Sequence, residues 1–350
     1  MPLTEVGSVL THHIFKTDEM FLMESGKTIP GFHLHYSTIG KLNETRDNVI
    51  WIFHALTANS NPVEWWPGMI GKGLLFDPEH HFIICVNMPG SCYGSTGPLD
   101  LDPETGEPWY RQFPFFTPRD MARAYRPLKD ELGIRKIYLG IGGSMGGQQL
   151  IEWAIEEPQL FEFIVPIATN AFHSSWGRAF NASQRLCIEN DPTWHKNNAN
   201  AGLEGMKVAR SLALISYRHY SAYEVTQEDA PELLENFRSE SYQRYQGEKL
   251  AKRFNAFSYY FLSKGMDSHH VGRGRGGAIA ALKTIMAKTL VIGIETDILF
   301  PVSEQAFLAE HIPVAQLHVI SSFYGHDGFL LEYDKITSVI RAYTGIAEKR

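Results

Sequence analysis

The chain has 350 residues, with hydrophobic residues at 44%, charged residues at 20% and a net charge of −7. That composition suits a globular protein with a large core, or a core plus an insertion, and excludes disordered, collagenous and coiled-coil readings. The acidic balance argues against nucleic acid or an anionic membrane as the main partner. Cys85, Cys92 and Cys187 form no metal-binding spacing, and their odd number points to a reducing compartment. The N-terminus lacks a basic region followed by an apolar one, and no run approaches 18 apolar residues. A cytoplasmic protein with no signal peptide is therefore expected, and the sequons at Asn43 and Asn181 are chance matches.

Short apolar runs recur through the first half: Asn48–Leu56, His81–Met88, Lys136–Gly142 and Phe161–Ala168. They are rich in β-branched and aromatic residues and nearly continuous, as strands covered on both faces of a parallel sheet are. Thr117–Leu132 and Met145–Glu157 suit helices between them, and Pro158 stops the second. From 171 to 288 the strand pattern disappears, and helices are expected around Leu203–Tyr217, Ala230–Tyr245 and Ala251–Leu262. Strands return at Thr289–Glu295 and Gln316–Ile320, with helices at Ser303–His311 and from Gly328 to Tyr343. The expected architecture is a mostly parallel, doubly wound α/β core (1–170 and 289–350) carrying a helical cap (171–288).

Gly142-Gly143-Ser144-Met145-Gly146-Gly147 follows a strand and opens a helix. In that context G-x-S-x-G is a nucleophile elbow, which lifts the serine hydroxyl above the sheet edge and aims the helix N-terminus at a developing oxyanion. The competing reading is a glycine-rich turn with a buried serine. An elbow serine needs a base and an orienting acid, which arrive in the order Ser, Asp, His. Asp297 falls just past the strand ending at Glu295, and His326 in the loop after the next strand. Singly, Asp297 reads as a helix cap and His326 as one of 15 histidines; in order with Ser144 they read as a triad. Glu295 lies within its strand and is the poorer orienter. The backbone N–H groups of Leu56, after the early strand, and Met145, after the nucleophile, are the expected oxyanion donors, with Thr57 lining the site. These features define an α/β-hydrolase fold.

Six short blocks go further: HALT at 54–57, CYGSTGP at 92–98, GGSMGG at 142–147, GRGRG at 272–276, DILFP at 297–301 and GHDGFL at 325–330. In this order they resemble the homoserine O-acetyltransferase family, from about Asn48 to the C-terminus. One departure is visible: the usual HALTGD reads HALTAN, losing the Gly and the acid beside the oxyanion loop. The resemblance implies acetyl-CoA as co-substrate, L-homoserine as acceptor, a ping-pong acyl-serine route, no metal or redox cofactor, and a homodimer. It also implies that Arg210, in a cap helix, and Asp327, after the histidine, hold the amino-acid acceptor. Serine as acceptor, succinyl-CoA as donor, and an esterase on the same triad remain open alternatives.

Several signals are declined. Gly272–Gly277 satisfies G-x-G-x-x-G, but no strand precedes it, as a dinucleotide site requires. It reads as a hinge from cap to core, with coenzyme phosphates as the alternative destination for Arg273 and Arg275. Cys92 has no activating base nearby. The pairs His12-His13 and His269-His270 lack a third metal ligand, and Trp65-Trp66 reads as cap or rim packing rather than a base-stacking platform.

Overall fold

The computed structural model describes residues 10–346. In chain order the elements are β1 (Thr11–Leu22), β2 (Thr28–Ile39), β3 (Val49–Phe53), α1 (Pro62–Trp65), β4 (Phe82–Val86), α2 (Pro118–Glu131), β5 (Ile137–Gly143), α3 (Met145–Glu156) and β6 (Phe161–Ile167). The insertion then supplies α4 (Ser175–Glu189), α5 (Leu203–Tyr217), α6 (Tyr220–Thr226), α7 (Arg238–Ala251) and α8 (Ala256–Asp267). The core resumes with α9 (Ala278–Leu282), β7 (Lys288–Ile294), α10 (Val302–His311), β8 (Ala315–Ile320), α11 (Gly328–Leu331) and α12 (Tyr333–Thr344).

The eight strands form one sheet in the order β1-β2-β4-β3-β5-β6-β7-β8. From β4 to β8 every neighbouring pair is parallel, whereas β1 and β2 add an antiparallel flap. The central strands β3 and β4 are buried throughout, as their unbroken apolar runs require. On one face Trp51 and Trp153 meet edge to face with ring centroids 4.8 Å apart; on the other, Ile50, Ile52 and Ile141 pack with the C-terminal helix residues Ile336 and Ile340. Parallel pairing brings the ends of β5, β6, β7 and β8 to one edge: Gly143 pairs with Ile167, Ile167 with Ile292, and Ile294 with Ile320. The site is built at that edge.

The β1–β2 hairpin and α4 are additions to the expected elements. The hairpin lies at the sheet edge and mixes His, Thr, Lys and Asp with its apolar residues, so its signal is weak. Helix α4 is signalled mainly by its N-cap, where the Ser174 hydroxyl accepts from the Gly177 N–H. Two cap helices are shifted from expectation. The chain from 230 to 237 is irregular, with Asn236 at φ 62°, and α7 begins only at Arg238. Helix α8 begins after Asn255, whose side chain accepts from the Ser258 N–H at 2.7 Å.

The cap leaves the core through a closed neck. Phe172 and His270 form an antiparallel bridge, with Val271 N–H donating to Ala171 O at 2.9 Å and His173 N–H to His269 O at 3.0 Å. Residues 272–288, expected with the cap, follow that neck in the chain, and Ala281, Leu282 and Ile285 are buried in the main hydrophobic cluster. No helix among the described residues is long and apolar enough to cross a membrane.

Candidate active site

Ser144 stands between β5 and α3 with φ 56° and ψ −127°. A non-glycine residue in this region is strained and persists only where its surroundings fix it. Here they do. Its N–H donates to Ile167 O at 2.9 Å, and its carbonyl accepts from the Thr169 hydroxyl at 2.8 Å. A Cβ on Gly146 would run into the Phe53 carbonyl, and one on Gly143 into the Phe329 ring. The glycines therefore let the turn touch both the end of β3 and the helix after His326.

Asp297 is 4% exposed. Its Oδ1 accepts from the N–H groups of Leu299 at 2.8 Å and Phe300 at 2.9 Å, while Oδ2 accepts from His326 Nδ1 at 2.6 Å. The DILFP turn thus fixes the carboxylate, and the carboxylate fixes the imidazole with Nδ1 as donor. Nε2 is then the ring nitrogen that Asp297 does not engage. The His326 ring lies among Phe300, Phe329 and Tyr217, with centroids 5.0, 5.2 and 5.8 Å away. Phe329 touches both Gly143 and His326, so the elbow and the base share one wall.

The expected oxyanion loop lies beside the elbow. Its first residue, His54, does more than end a strand. Buried at 1% exposure, it donates from Nδ1 to Ala55 O at 2.9 Å and accepts at Nε2 from the Met88 N–H at 3.0 Å. Only the neutral ring can do both, and burial lowers its pKa to about 4. His54 therefore pins Ala55, and with it Leu56, to the end of β4. From above, Arg253 in the α7–α8 loop donates to Thr57 O and Tyr93 OH, tying Thr57 to the cap. In the departure from HALTGD, Asn59 holds the next turn: its side chain accepts from Asn61 N–H and donates to Glu64, both near 3 Å.

Arg210 and Tyr217 sit two turns apart on α5, with the guanidinium carbon 5.4 Å from the ring centre. Burial raises the pKa of half-buried Tyr217, the Arg210 charge lowers it and the Asp327 charge raises it, and the same ring faces His326. The sequence reading did not include Tyr217 or Arg218. Arg218 Nε approaches Asp327 Oδ2 at 2.7 Å, off the N–H direction, so the contact is an ion pair rather than an aligned hydrogen bond. The seven-residue spacing of Arg210 and Tyr217 was the available signal for the ring; nothing local marked Arg218 as the partner of Asp327.

The arginines of GRGRG serve the hinge. Arg275 Nη1 pairs with Glu152 Oε2 at 2.6 Å, Arg273 Nη1 with Glu24 Oε2 at 3.0 Å, and Arg275 also reaches Glu156. Arg119, 6% exposed, bridges Glu24 and Glu152 and donates to the carbonyls of Arg273 and Val271. Both GRGRG arginines are thereby engaged with carboxylates of the core. Trp66, fully buried, donates to Phe329 O at 3.0 Å and so packs within the core rather than in the cap or at its rim, where the Trp pair was expected.

A nucleophile elbow, an Asp–His pair at the ends of successive parallel strands and an inserted cap define an α/β-hydrolase-fold enzyme, and the α/β-hydrolase-fold family pattern matches residues 48–333. The chain is 46% identical over 334 residues to the homoserine O-acetyltransferase of Cyclobacterium marinum, covering 95% of each chain. It belongs to the homoserine O-acetyltransferase family. Among solved structures, a homoserine O-acetyltransferase from Bacillus anthracis superposes with TM-score 0.90 at 23% identity, over 96% of this chain and 98% of that one. An acetylester hydrolase from Corynebacterium glutamicum superposes with TM-score 0.85 at 24% identity, over 96% of each. At these identities the superpositions speak for the fold alone.

Proposed function

We propose that the chain transfers an acetyl group from acetyl-CoA to the hydroxyl of L-homoserine in the cytoplasm, by a ping-pong route through an acyl-serine. The likeness to the Cyclobacterium marinum enzyme over nearly the whole of both chains carries the choice of substrates. In the first half-reaction Ser144 Oγ attacks the thioester carbonyl as His326 Nε2 takes its proton. The tetrahedral oxyanion is held by the N–H groups of Leu56 and Met145. The C–S bond then breaks, and the thiol leaves with the proton from His326. In the second, the homoserine hydroxyl gives its proton to His326 and attacks the acyl carbon. Collapse returns the proton to Ser144 and releases the ester. Asp297 keeps the imidazole in the required tautomer throughout.

In this reading Arg210 receives the acceptor's carboxylate and Asp327 its ammonium, the fork of Arg suiting a carboxylate. Thr57 lines the oxyanion side, and no metal or redox cofactor is assigned a part. The cap also carries exposed apolar side chains at Val208, Ile215, Tyr220 and Tyr245, which suit a homodimer formed through it. Steady-state assays of acetyl-CoA and succinyl-CoA, each against homoserine and serine, test the substrates. Incubation with acetyl-CoA alone should release one equivalent of CoA per site and acetylate the peptide holding Ser144. CoA release only in the presence of homoserine, with no trapped acyl-enzyme, would overturn the covalent route. Ester hydrolysis with no acceptor dependence would place the chain with the esterases.

A further inference from the structure

The turn that carries Leu56 is held from two directions. Ala55 to Ala58 form a β-turn in which the Ala58 N–H donates to Ala55 O at 3.0 Å. Such a turn uses the N–H of its fourth residue and leaves that of its second free, here the N–H of Leu56, a residue 4% exposed. The Ala55 carbonyl and the Leu56 N–H are opposite ends of one planar trans peptide. Whatever fixes Ala55 O therefore aims the Leu56 N–H. Two donors fix it: His54 Nδ1 from the core and the Ala58 N–H from within the turn.

The second donor is itself one end of a peptide, and the other end, Thr57 O, accepts from Arg253 Nη1 in the α7–α8 loop. The Thr57–Ala58 plane is thus held at both ends. It passes the position of the cap to Ala55 O and so to Leu56. The same nitrogen of Arg253 reaches Tyr93 OH. Tyr93 is anchored in turn: its carbonyl accepts from Asn87 Nδ2 at 2.7 Å, and Asn87 Oδ1 accepts at 2.7 Å from the N–H of Ser60, just beyond the turn. The loop that carries Arg253 is docked on the same segment. Phe254, 4% exposed, sets its ring 5.7 Å from that of Tyr93, and the Cys92 thiol donates to Arg253 O at 3.5 Å. Arg253 itself is exposed, so its side chain holds the turn without being part of the core.

We propose that Arg253 is a positioning residue for the oxyanion hole: by holding Thr57 O it keeps the Leu56 N–H aimed at the oxyanion that forms as Ser144 attacks, so that the cap sets the acylation rate. The inference rests on the acyl-serine reading above and on the place of Leu56 in it. A misaimed donor acts little on the bound thioester and most on the tetrahedral oxyanion. The loss therefore belongs to the rate of acylation and not to the binding of acetyl-CoA.

The test uses the full-length chain and two probes that need no amino-acid acceptor: single-turnover CoA release from acetyl-CoA, and inhibition by trifluoroacetone. Ser144 Oγ adds to the ketone carbon as its proton passes to His326, and the carbonyl electron pair becomes an oxyanion, so the ketone reports on the hole itself. In Arg253→Met, which keeps the stem and loses the donor, the acylation rate and the ketone affinity should both fall about 5- to 30-fold, less than for outright loss of a donor. The acetyl-CoA concentration at half-saturation should stay within about twofold, and the melting temperature within about 2 °C, as for an exposed side chain. Arg253→Lys, which keeps one donor nitrogen, should fall between Arg253→Met and wild type. Unchanged acylation and ketone affinity in Arg253→Met overturn the proposal. So does a rise in half-saturating acetyl-CoA alone, which would make Arg253 a coenzyme contact. His54→Ala and Ser144→Ala run beside it. If His54→Ala loses both readouts and Arg253→Met neither, only the role of Arg253 fails; if neither variant moves them, the place of Leu56 in the hole fails as well. CoA release that survives Ser144→Ala would refute the acyl-serine reading, and the proposal with it.

Discussion

Arg218 Nε stands 2.7 Å from Asp327 Oδ2, so the acid next to the triad histidine is held from the cap, one residue past the C-terminal end of α5. The same helix carries Arg210 and Tyr217. Acceptor contacts proposed for Asp327 and Arg210 would therefore share one cap element. Arg218→Met should leave CoA release in the first half-reaction within about twofold and reduce kcat/KM for homoserine about 10- to 100-fold, the worth of one charge-assisted contact. Arg210→Lys should show the same asymmetry, since it keeps the charge and loses the fork. Loss of acylation with an intact homoserine response would assign these residues to the coenzyme side.

Removing the nucleophile separates chemistry from fold. Ser144→Ala should lower transfer at least about 10³-fold while the melting temperature stays near wild type, because the turn is held through backbone groups and Thr169. Asp297→Asn should cost about 10⁴-fold by favouring the wrong His326 tautomer. Transfer within tenfold of wild type in either variant would remove that residue from the triad.

His54 is expected to matter twice. His54→Ala leaves the buried Met88 N–H without its acceptor, which should cost about 1–3 kcal/mol in denaturant unfolding. It also frees Ala55 and Leu56, so kcat for acylation should fall about 10- to 100-fold, within the range for a lost oxyanion donor. A stability loss with unchanged acylation would separate the His54 contact from the oxyanion loop.

Acid should destabilise the fold before its carboxylates titrate. Burial lowers His54 to about 4 and His173 and His269 to about 3. Above pH 6.5 these rings are neutral in both folded and unfolded chains. Below it the unfolded chain takes protons that the fold refuses, so stability falls with falling pH, by at most about 4 kcal/mol per unit near pH 5 for three protons. The raised carboxyls of Glu304, Glu152, Asp120 and Asp267 bind protons in the fold and offset part of this. Denaturant midpoints at pH 7 and pH 5 check it; equal stability at both would contradict the neutral buried histidines.

The parallel core was readable because each central strand is buried on both faces and so is apolar along its length. The elbow, Asp297 and His326 were readable because their chemistry forces them to strand ends in a fixed order. The antiparallel flap was not, since an edge strand such as β1 has one wet face and few apolar residues to betray it. Arg218 and Arg253 were also invisible. Each is an ordinary charged residue in sequence and gains its meaning from a partner distant along the chain: Asp327 and Thr57. The beginning of α7 was misread because the apolar residues of 230–237 suggested a helix where the backbone turns at Asn236.

The neck of the cap has a consequence for how this architecture can vary. Its two strands of chain, Ala171–His173 and His269–Val271, are hydrogen-bonded to each other, so the core meets the insertion as if at a hairpin. Closing a loop costs little more as the loop lengthens, and here the closure is made before the first cap helix begins. Helices between residues 174 and 268 can therefore vary without opening the strand ends that carry Ser144, Asp297 and His326, provided the contacts of Tyr217 with His326, of Arg218 with Asp327 and of Arg253 with Thr57 are kept or replaced. One catalytic edge can in this way be roofed by differently shaped lids, with acceptor choice changing in the roof while the bond-making chemistry beneath is left alone.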